Sequence, residues 1–406
     1  MKNSKHIALF LAALRGGGAE RVFLDLARKF TERGYRVDMV LARLQGQLVS
    51  DIPQSVHTVE LGISSLVKSL HALFRLPFAA WKALLPAIVA KRPKKLRSLP
   101  GLERYLLEQR PDVLMATTDI PNLIALWAAW LTRSKTRLVI REANTLTNYV
   151  NLAPSAFHRK LPSMIRQWYH MADGIVSVSR GVADDLSRVA AISQERISII
   201  NNPIDLERVA KSAAQEFDNP WFQPGQPPVL VAVGSLHPQK DYPTLLRAFV
   251  RVRTERNIRL VILGEGAERK SLQALIEELG VVDDVLLLGF QKNPYTYMSR
   301  AAVFVLSSIY EGFPNVLLEA LACGCPIVST NCPNGPAELL DRGRFGLLVP
   351  VGDDAAFAEA ILDALEAPNN AKQLRRRAEE FSIDTIADRY LEIFSDKELR
   401  STRKDR

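Results

Sequence analysis

Cysteine is scarce in this chain. Only Cys323, Cys325 and Cys332 occur in 406 residues, and they fall within ten positions of one another. An odd, clustered set does not make a disulfide framework and points to a reducing compartment. No second cysteine pair or nearby histidine completes a tetrahedral ligand set, so no metal site is expected. Aromatic residues are only 7%, and no recognisable nucleic-acid module accompanies the basic residues, so nucleic acid is not an expected partner. The N-terminal apolar run, Ile7 to Leu14, is too short for a leader and opens into glycines rather than a cleavage site. It reads as a first buried strand. Acidic residues are missing altogether between Glu60 and Glu103, where eight lysines and arginines lie. The whole chain carries a net charge of +9, which suggests an anionic partner such as a phosphorylated ligand or an acidic membrane.

What is present is a long alternation. Runs such as "HIALFLAAL", "YRVDMVLA", "DVLMAT", "RLVIREA" and "GIVSVS" fill the first half; "PVLVAVGSL", "IRLVILGE", "DVLLLGF", "VFVLSS", "PIVST" and "GLLVP" fill the second. Short continuous Val/Ile/Leu runs separated by helix-length segments indicate parallel sheets covered on both faces. Two series imply an α/β chain of two Rossmann-like doubly wound domains facing a central cleft. The expected division is an N-terminal domain over 1–205, a linker over 206–228 whose proline-rich part begins near 212, and a C-terminal domain over 229–382. A last helix over 383–396 is expected to pack back on the first domain. In open parallel sheets, ligands bind outside the carboxyl ends of strands, so residues following strands are the candidates.

Four such stretches stand out. In "LRGGGAERV", Gly16, Gly17 and Gly18 precede a helix; they make either an anion-binding loop or merely a tight turn. In "VGSLHPQKDYPTLLRAF", Lys240 can reach a phosphate or be a solvated loop lysine. "VILGEGAERKSL" offers Gly264 and Gly266 but has Arg269 where a dinucleotide fingerprint needs its third glycine, which argues against a nicotinamide enzyme. In "SSIYEGFPNVLLEALACGCPIVST", Glu311 and Glu319 flank a helix entrance at Pro314. Amides of Asn315, Val316 and Leu317 are expected to lack intrahelical acceptors and to favour a diphosphate. Carboxylates only accept hydrogen bonds, which suits them to vicinal hydroxyls. The spacing therefore fits a nucleotide sugar, or else two carboxylates that merely decorate a loop and a first helical turn.

The last stretch resembles the Glu-x7-Glu motif of the retaining glycosyltransferases with two Rossmann-like domains, the GT-B fold, family 4. Similarity covers residues 229–353 and is thinner in "GGGAERV", "VSVSRGVADDL" and "NNPID". The resemblance implies that Lys240 contacts the donor diphosphate and Glu311 holds hydroxyls of the transferred sugar, with Gly312 and Phe313 beside it. Asn315 and Val316 give amides to phosphate, Glu319 holds the ribose and Phe290 meets the base, with Gly264 nearby. Gly16 to Gly18 would lie by the diphosphate and acceptor. Two departures are visible. Ser235 stands where such proteins often carry a second cation, and Ala143 follows Glu142 where relatives often have Glu-His. Asp119, at the end of "VLMATTD", becomes the candidate for acceptor activation. The family implies retention without a metal or other cofactor, and no Asp-x-Asp at a strand end contradicts this. The implied reaction moves a hexose or N-acetylhexosamine, with a UDP-sugar as the expected donor, to a lipid-linked or surface-polysaccharide acceptor. An epimerase or hydrolase of the same architecture and a non-catalytic glycan-binding partner are the alternatives.

In the basic stretch, Lys68, Arg75 and Lys82 recur every seven residues, as on one helix face, with Leu66 and Trp81 on the other; Lys91, Arg92, Lys94 and Lys95 follow. Prolines and charge break it up too much for a transmembrane span. An interfacial helix on the cytoplasmic leaflet of the cell membrane is expected, against a core-facing helix with a solvated basic edge.

Overall fold

The computed structural model describes residues 5–77, 96–147, 156–368 and 370–395. The chain divides into two units: Met1–Pro203 with Ile383–Arg406, and Ile204–Ser382. Unit 1 holds a seven-stranded sheet of β1 (His6–Leu11), β2 (Arg36–Leu41), β3 (His57–Glu60), β4 (Val113–Thr117), β5 (Arg137–Glu142), β6 (Gly174–Ser177) and β7 (Ile197–Ile199), in the order β3-β2-β1-β4-β5-β6-β7. The pairs are parallel. Unit 2 holds six strands: β8 (Val229–Val233), β9 (Arg259–Leu263), β10 (Val285–Gly289), β11 (Val303–Leu306), β12 (Ile327–Thr330) and β13 (Leu347–Val349). Their order is β10-β9-β8-β11-β12-β13, again parallel.

Two-sided burial explains the unbroken apolar runs. Along β1, Ala8 and Phe10 join one core layer, whereas Ile7, Leu9 and Leu11 join the other. The second layer is completed by Ile383, Ile386, Ala387, Tyr390 and Phe394 of the Ile383–Ser395 helix. That helix is fastened by Arg33, which pairs with Asp384 and Asp388, and by Lys29, 3.0 Å from Asp384. Tyr390 also accepts a hydrogen bond from Arg141, a fully buried guanidinium that bonds Thr117 and Asn202 as well.

The 206–228 stretch is not a bare linker. Asp205 caps a helix, Leu206–Ala213, and Phe217 and Phe222 stack edge-on with Tyr297 inside unit 2. Aromatic and apolar residues in this stretch bury area that a tether would leave wet. In each sheet the strand order reverses direction at one place, between β1 and β4 and between β8 and β11. The loops following these four strands are where such folds hold ligands.

Candidate functional site

In unit 2, the β8 and β11 loops meet. After β8, Pro238–Lys240 forms a single 3-10 turn, and the Tyr242–Glu255 helix begins at once. After β11, the chain runs through Ser307 and Ser308 to Glu311. Ser307 donates to the Lys240 carbonyl at 2.6 Å, and the Gln239 side chain donates to the Tyr310 carbonyl at 2.8 Å. These bonds clamp the two loops together. As a result Lys240 Nζ lies 2.6 Å from Glu311 Oε1, and Ser308 donates to the same oxygen at 2.7 Å. Both side chains of the pair are mostly buried, with 14% and 9% exposed. An ammonium has three donors, so Lys240 can hold Glu311 and still offer protons to another anion.

Gly264 shows why this corner needs glycine. Its φ is +153°, and a Cβ there would lie 1.8 Å from the Gly234 carbonyl oxygen. The ends of β8 and β9 touch at this point. The Asn315–Cys323 helix starts beside Glu311, with Pro314 as its N-cap. Leu317 N–H is not available as expected, because it donates to the Pro314 carbonyl at 2.9 Å; Asn315 and Val316 keep the first two helical positions. Gly312 and Phe313 are buried in the turn that leads there, Phe313 against Phe381. Glu319 is half-buried and accepts from Tyr295 OH at 3.4 Å. Tyr295 escaped the sequence reading, because it belongs to a short helix with no motif. Phe290 is 39% exposed just beyond β10, and Ser235 is exposed after β8.

In unit 1 the glycine loop is already filled. Gly16 N–H and Gly17 N–H both donate to Glu20 Oε2, at 2.8 and 3.2 Å, closing a capping box on the Gly18–Glu32 helix. Burial raises the Glu20 carboxyl above its ordinary value, against the pull of those amides. A cavity of about 490 Å³ lies at the carboxyl ends of β1, β4 and β5, lined by Phe10, Arg15, Glu20, Arg43, Asp119, Ile124, Glu142 and Leu146 among others. Asp119 opens the Asp119–Thr132 helix behind Thr118, whose φ is +71°. Glu142 ends β5 and accepts from the Asn122 amide at 2.9 Å and from Tyr169 OH. Burial, with the Asp119 carboxylate adding to it, pushes Glu142 up to about 8 despite the Tyr169 and Asn122 hydrogen bonds. Sequence reasoning noted Glu142 only for its neighbour; its position at a strand end was the available signal.

Residues 16–208 match the family described as Glycosyltransferase Family 4, and residues 213–381 match Glycosyl transferases group 1. A Campylobacter jejuni protein named N-acetylgalactosamine-N,N'-diacetylbacillosaminyl-diphospho-undecaprenol 4-alpha-N-acetylgalactosaminyltransferase is 33% identical over 92% of this chain and 93% of that one. This chain belongs to the group 1 glycosyltransferases. A Rhizobium meliloti relative, lipopolysaccharide core biosynthesis glycosyltransferase LpsE, is 27% identical over 94% of this chain and 97% of its own length. The solved structure of Anabaena HepE in complex with UDP and glucose superposes with a TM-score of 0.76 at 19% identity, covering 96% of this chain and 99% of that one. The two doubly wound units of this glycosyltransferase are thus those of the GT-B fold, as the motif resemblance implied.

The basic stretch of the glycosyltransferase departs from the expected continuous face. The helix there is Leu66–Phe74, and Arg75 is its C-cap. Arg75 turns to Glu103 at 2.8 Å instead of extending a cationic row with Lys68. Lys68 is exposed, and so are Leu66, Val67 and Phe74, whereas Ser69, Ala72 and Leu73 are buried. Leu66 therefore lies on the outer surface and not on a core face. Trp81, Lys82, Lys91, Arg92, Lys94 and Lys95 lie outside the described residues. Among the described residues, no helix is long and apolar enough to cross a membrane.

Proposed function

We propose that this glycosyltransferase moves a hexose or N-acetylhexosamine from a nucleotide-diphosphate sugar, a UDP-sugar in our reading, to a lipid-linked or surface-polysaccharide acceptor, with retention at the anomeric carbon. The observation that carries the reading is the Lys240–Glu311 pair at the β8 and β11 ends, beside the start of the Asn315–Cys323 helix. Cleaving the anomeric carbon–oxygen bond puts negative charge on the departing nucleotide. Lys240 and the Asn315 and Val316 positions supply positive potential where that charge develops, a form of catalysis that needs no metal or other cofactor. Glu311 grips hydroxyls of the sugar, Glu319 takes the ribose diol and Phe290 faces the base. The acceptor enters from unit 1, where Asp119 lines the cavity. With front-face attack, the departing phosphate takes the acceptor proton. Family membership favours transfer over the epimerase, hydrolase or non-catalytic alternatives. The relatives named for undecaprenol-linked and lipopolysaccharide acceptors support a membrane-borne acceptor here.

We place the protein at the cytoplasmic face of the cell membrane, docked through the Leu66–Phe74 helix, whose exposed Leu66, Val67 and Phe74 border Lys68. The deciding experiment incubates purified protein with a panel of nucleotide sugars, with and without lipid-linked acceptors. Nucleotide release that requires acceptor, and a product of unchanged anomeric configuration by NMR, are expected. An inverted product refutes the mechanism. For membrane docking, co-sedimentation with anionic but not zwitterionic vesicles is expected, weakened by Val67→Asp; equal recovery with both vesicle types rejects it.

A further inference from the structure

The cavity of unit 1 has a floor that the mechanism above leaves unused. Glu142 is 2% exposed, yet it lines the cavity. Its two described hydrogen bonds, from Asn122 and Tyr169, both end on Oε1. Oε2 takes part in neither bond and is the oxygen left for a ligand in the cavity that Glu142 lines. Burial and the Asp119 carboxylate hold the group as an acid up to about pH 8. With Oε1 pinned as an acceptor by two donors, the acid proton belongs on Oε2. The other charged groups facing this space are Arg15 and Glu20 from the glycine loop and its helix, and Arg43 after β2. Arg141, the neighbour on β5, spends its guanidinium on Thr117, Asn202 and Tyr390.

A carboxylic O–H is selective. An amide carbonyl only accepts, so it binds the acid and not the carboxylate; a hydroxyl both donates and accepts and is satisfied by either form. Phe10, Ile120, Ile124 and Leu146 provide an apolar wall in the same cavity, suited to a methyl group. A volume of about 490 Å³ accommodates a sugar ring with its substituents. We propose that this cavity seats an acetamido sugar of the acceptor, and that Glu142 is a specificity-determining residue, donating its carboxyl proton to the acetamide carbonyl oxygen. The proposal rests on the assignment of unit 1 to the acceptor.

The test compares two acceptors, N-acetylglucosamine and glucose, each on a diphosphate with a short prenyl chain, over pH 6 to 9.5. For the acetamido acceptor, KM rises about tenfold per pH unit beyond 8, whereas kcat changes little; the glucosyl acceptor shows a flat KM. Near neutrality the two acceptors differ only by burial of the acetamide methyl on the apolar wall, about fourfold in favour of the acetamido acceptor, and that preference is lost as pH rises past 8. Glu142→Gln keeps a donor that cannot ionise and flattens the acetamido profile. Tyr169→Phe removes a bond that lowers the Glu142 pKa and moves the break to higher pH. Identical profiles for the two acceptors, turnover of the glucosyl acceptor alone, or a wild-type profile in Glu142→Gln overturns the proposal. If no nucleotide is released from any donor, the transfer reading itself fails. Glu142 is then judged by difference infrared spectroscopy at pH 7. A protonated-carboxyl band that moves on adding N-acetylglucosamine and vanishes in Glu142→Gln supports the inference; no such band rejects it.

Discussion

Replacing Lys240 with alanine removes the ammonium that sits 2.6 Å from Glu311 Oε1. Two separable losses follow. The first is structural. Glu311 is a carboxylate with 9% of its side chain exposed, left with Ser308 as its described side-chain donor. Breaking a fully buried pair costs roughly 3–5 kcal/mol. This pair keeps a wet edge, so about 2–3 kcal/mol is the reasonable figure. For a unit of this size each kcal/mol lowers Tm by roughly 2–4 °C, so the melting of unit 2 falls by about 4–12 °C. The second loss is catalytic. Removing one group that stabilises developing charge costs about 10²–10³ in kcat. A double-mutant cycle separates the two. Lys240→Ala with Glu311→Ala removes the stranded carboxylate and recovers most of the melting temperature, but recovers no activity. The assays are calorimetric melting and nucleotide release at saturating donor. A Lys240→Ala enzyme with kcat within a few-fold of wild type refutes the electrostatic argument. A cycle with zero coupling refutes the pairing.

Three further outcomes are expected. Asp38 is buried; burial raises its carboxyl, but hydrogen bonds from His6 and Tyr105 outweigh this and hold it below the ordinary range. A depressed carboxyl stabilises the fold above the unfolded value, near 4, and loses that contribution as pH falls through the folded value. Acid titration of unit 1 should therefore show a component below about pH 4 that Asp38→Asn eliminates, and an unchanged acid limb in the variant speaks against it. Gly264→Ala forces a Cβ to within 1.8 Å of the Gly234 carbonyl oxygen, so unit 2 should fail to fold cooperatively; soluble protein with wild-type circular dichroism and melting contradicts the close approach. Tyr390→Phe leaves a buried Arg141 N–H without its acceptor, which costs about 1–3 kcal/mol; chemical denaturation monitored in unit 1 measures it, and no change in midpoint counts against the contact.

The sheets were legible because strands buried on both faces need unbroken apolar runs, and those of β1, β4, β8 and β11 are visible in the chain. β3 and β7 were not, because polar residues interrupt them; His57 and Glu60 in β3 and Ser198 in β7 are exposed, so no apolar run marks either strand. At the site, Lys240 and Glu311 were found because each follows a strand, and topology brings two strand ends together. Tyr295 and Tyr169 were invisible for the opposite reason. They reach Glu319 and Glu142 across 24 and 27 residues, a distance that no local pattern encodes. Glu20 was a missed local signal. It stands at the third helical position after Gly17, where capping-box spacing foretells a carboxylate folding back onto the amides. The seven-residue recurrence of Lys68 and Arg75 misled, because the helix ends before Arg75 and an ion pair to Glu103 sets where that side chain goes.

The return of the Ile383–Ser395 helix to unit 1 has a consequence for biosynthesis. Ile386, Tyr390 and Phe394 cover an apolar sheet face whose strands end at Ile199. The Gly18–Glu32 helix covers part of that face early, but the rest stays bare until the Ile383–Ser395 segment has been translated. About 200 further residues at 5–20 per second amount to roughly 10–40 s of translation. Unit 2, contained within Ile204–Ser382, is finished before its upstream neighbour. The nascent chain therefore carries a partly open hydrophobic face while unit 2 is made, which makes it a client for ribosome-associated chaperones, and a stop codon before position 383 leaves the part under Ile386, Tyr390 and Phe394 uncovered permanently.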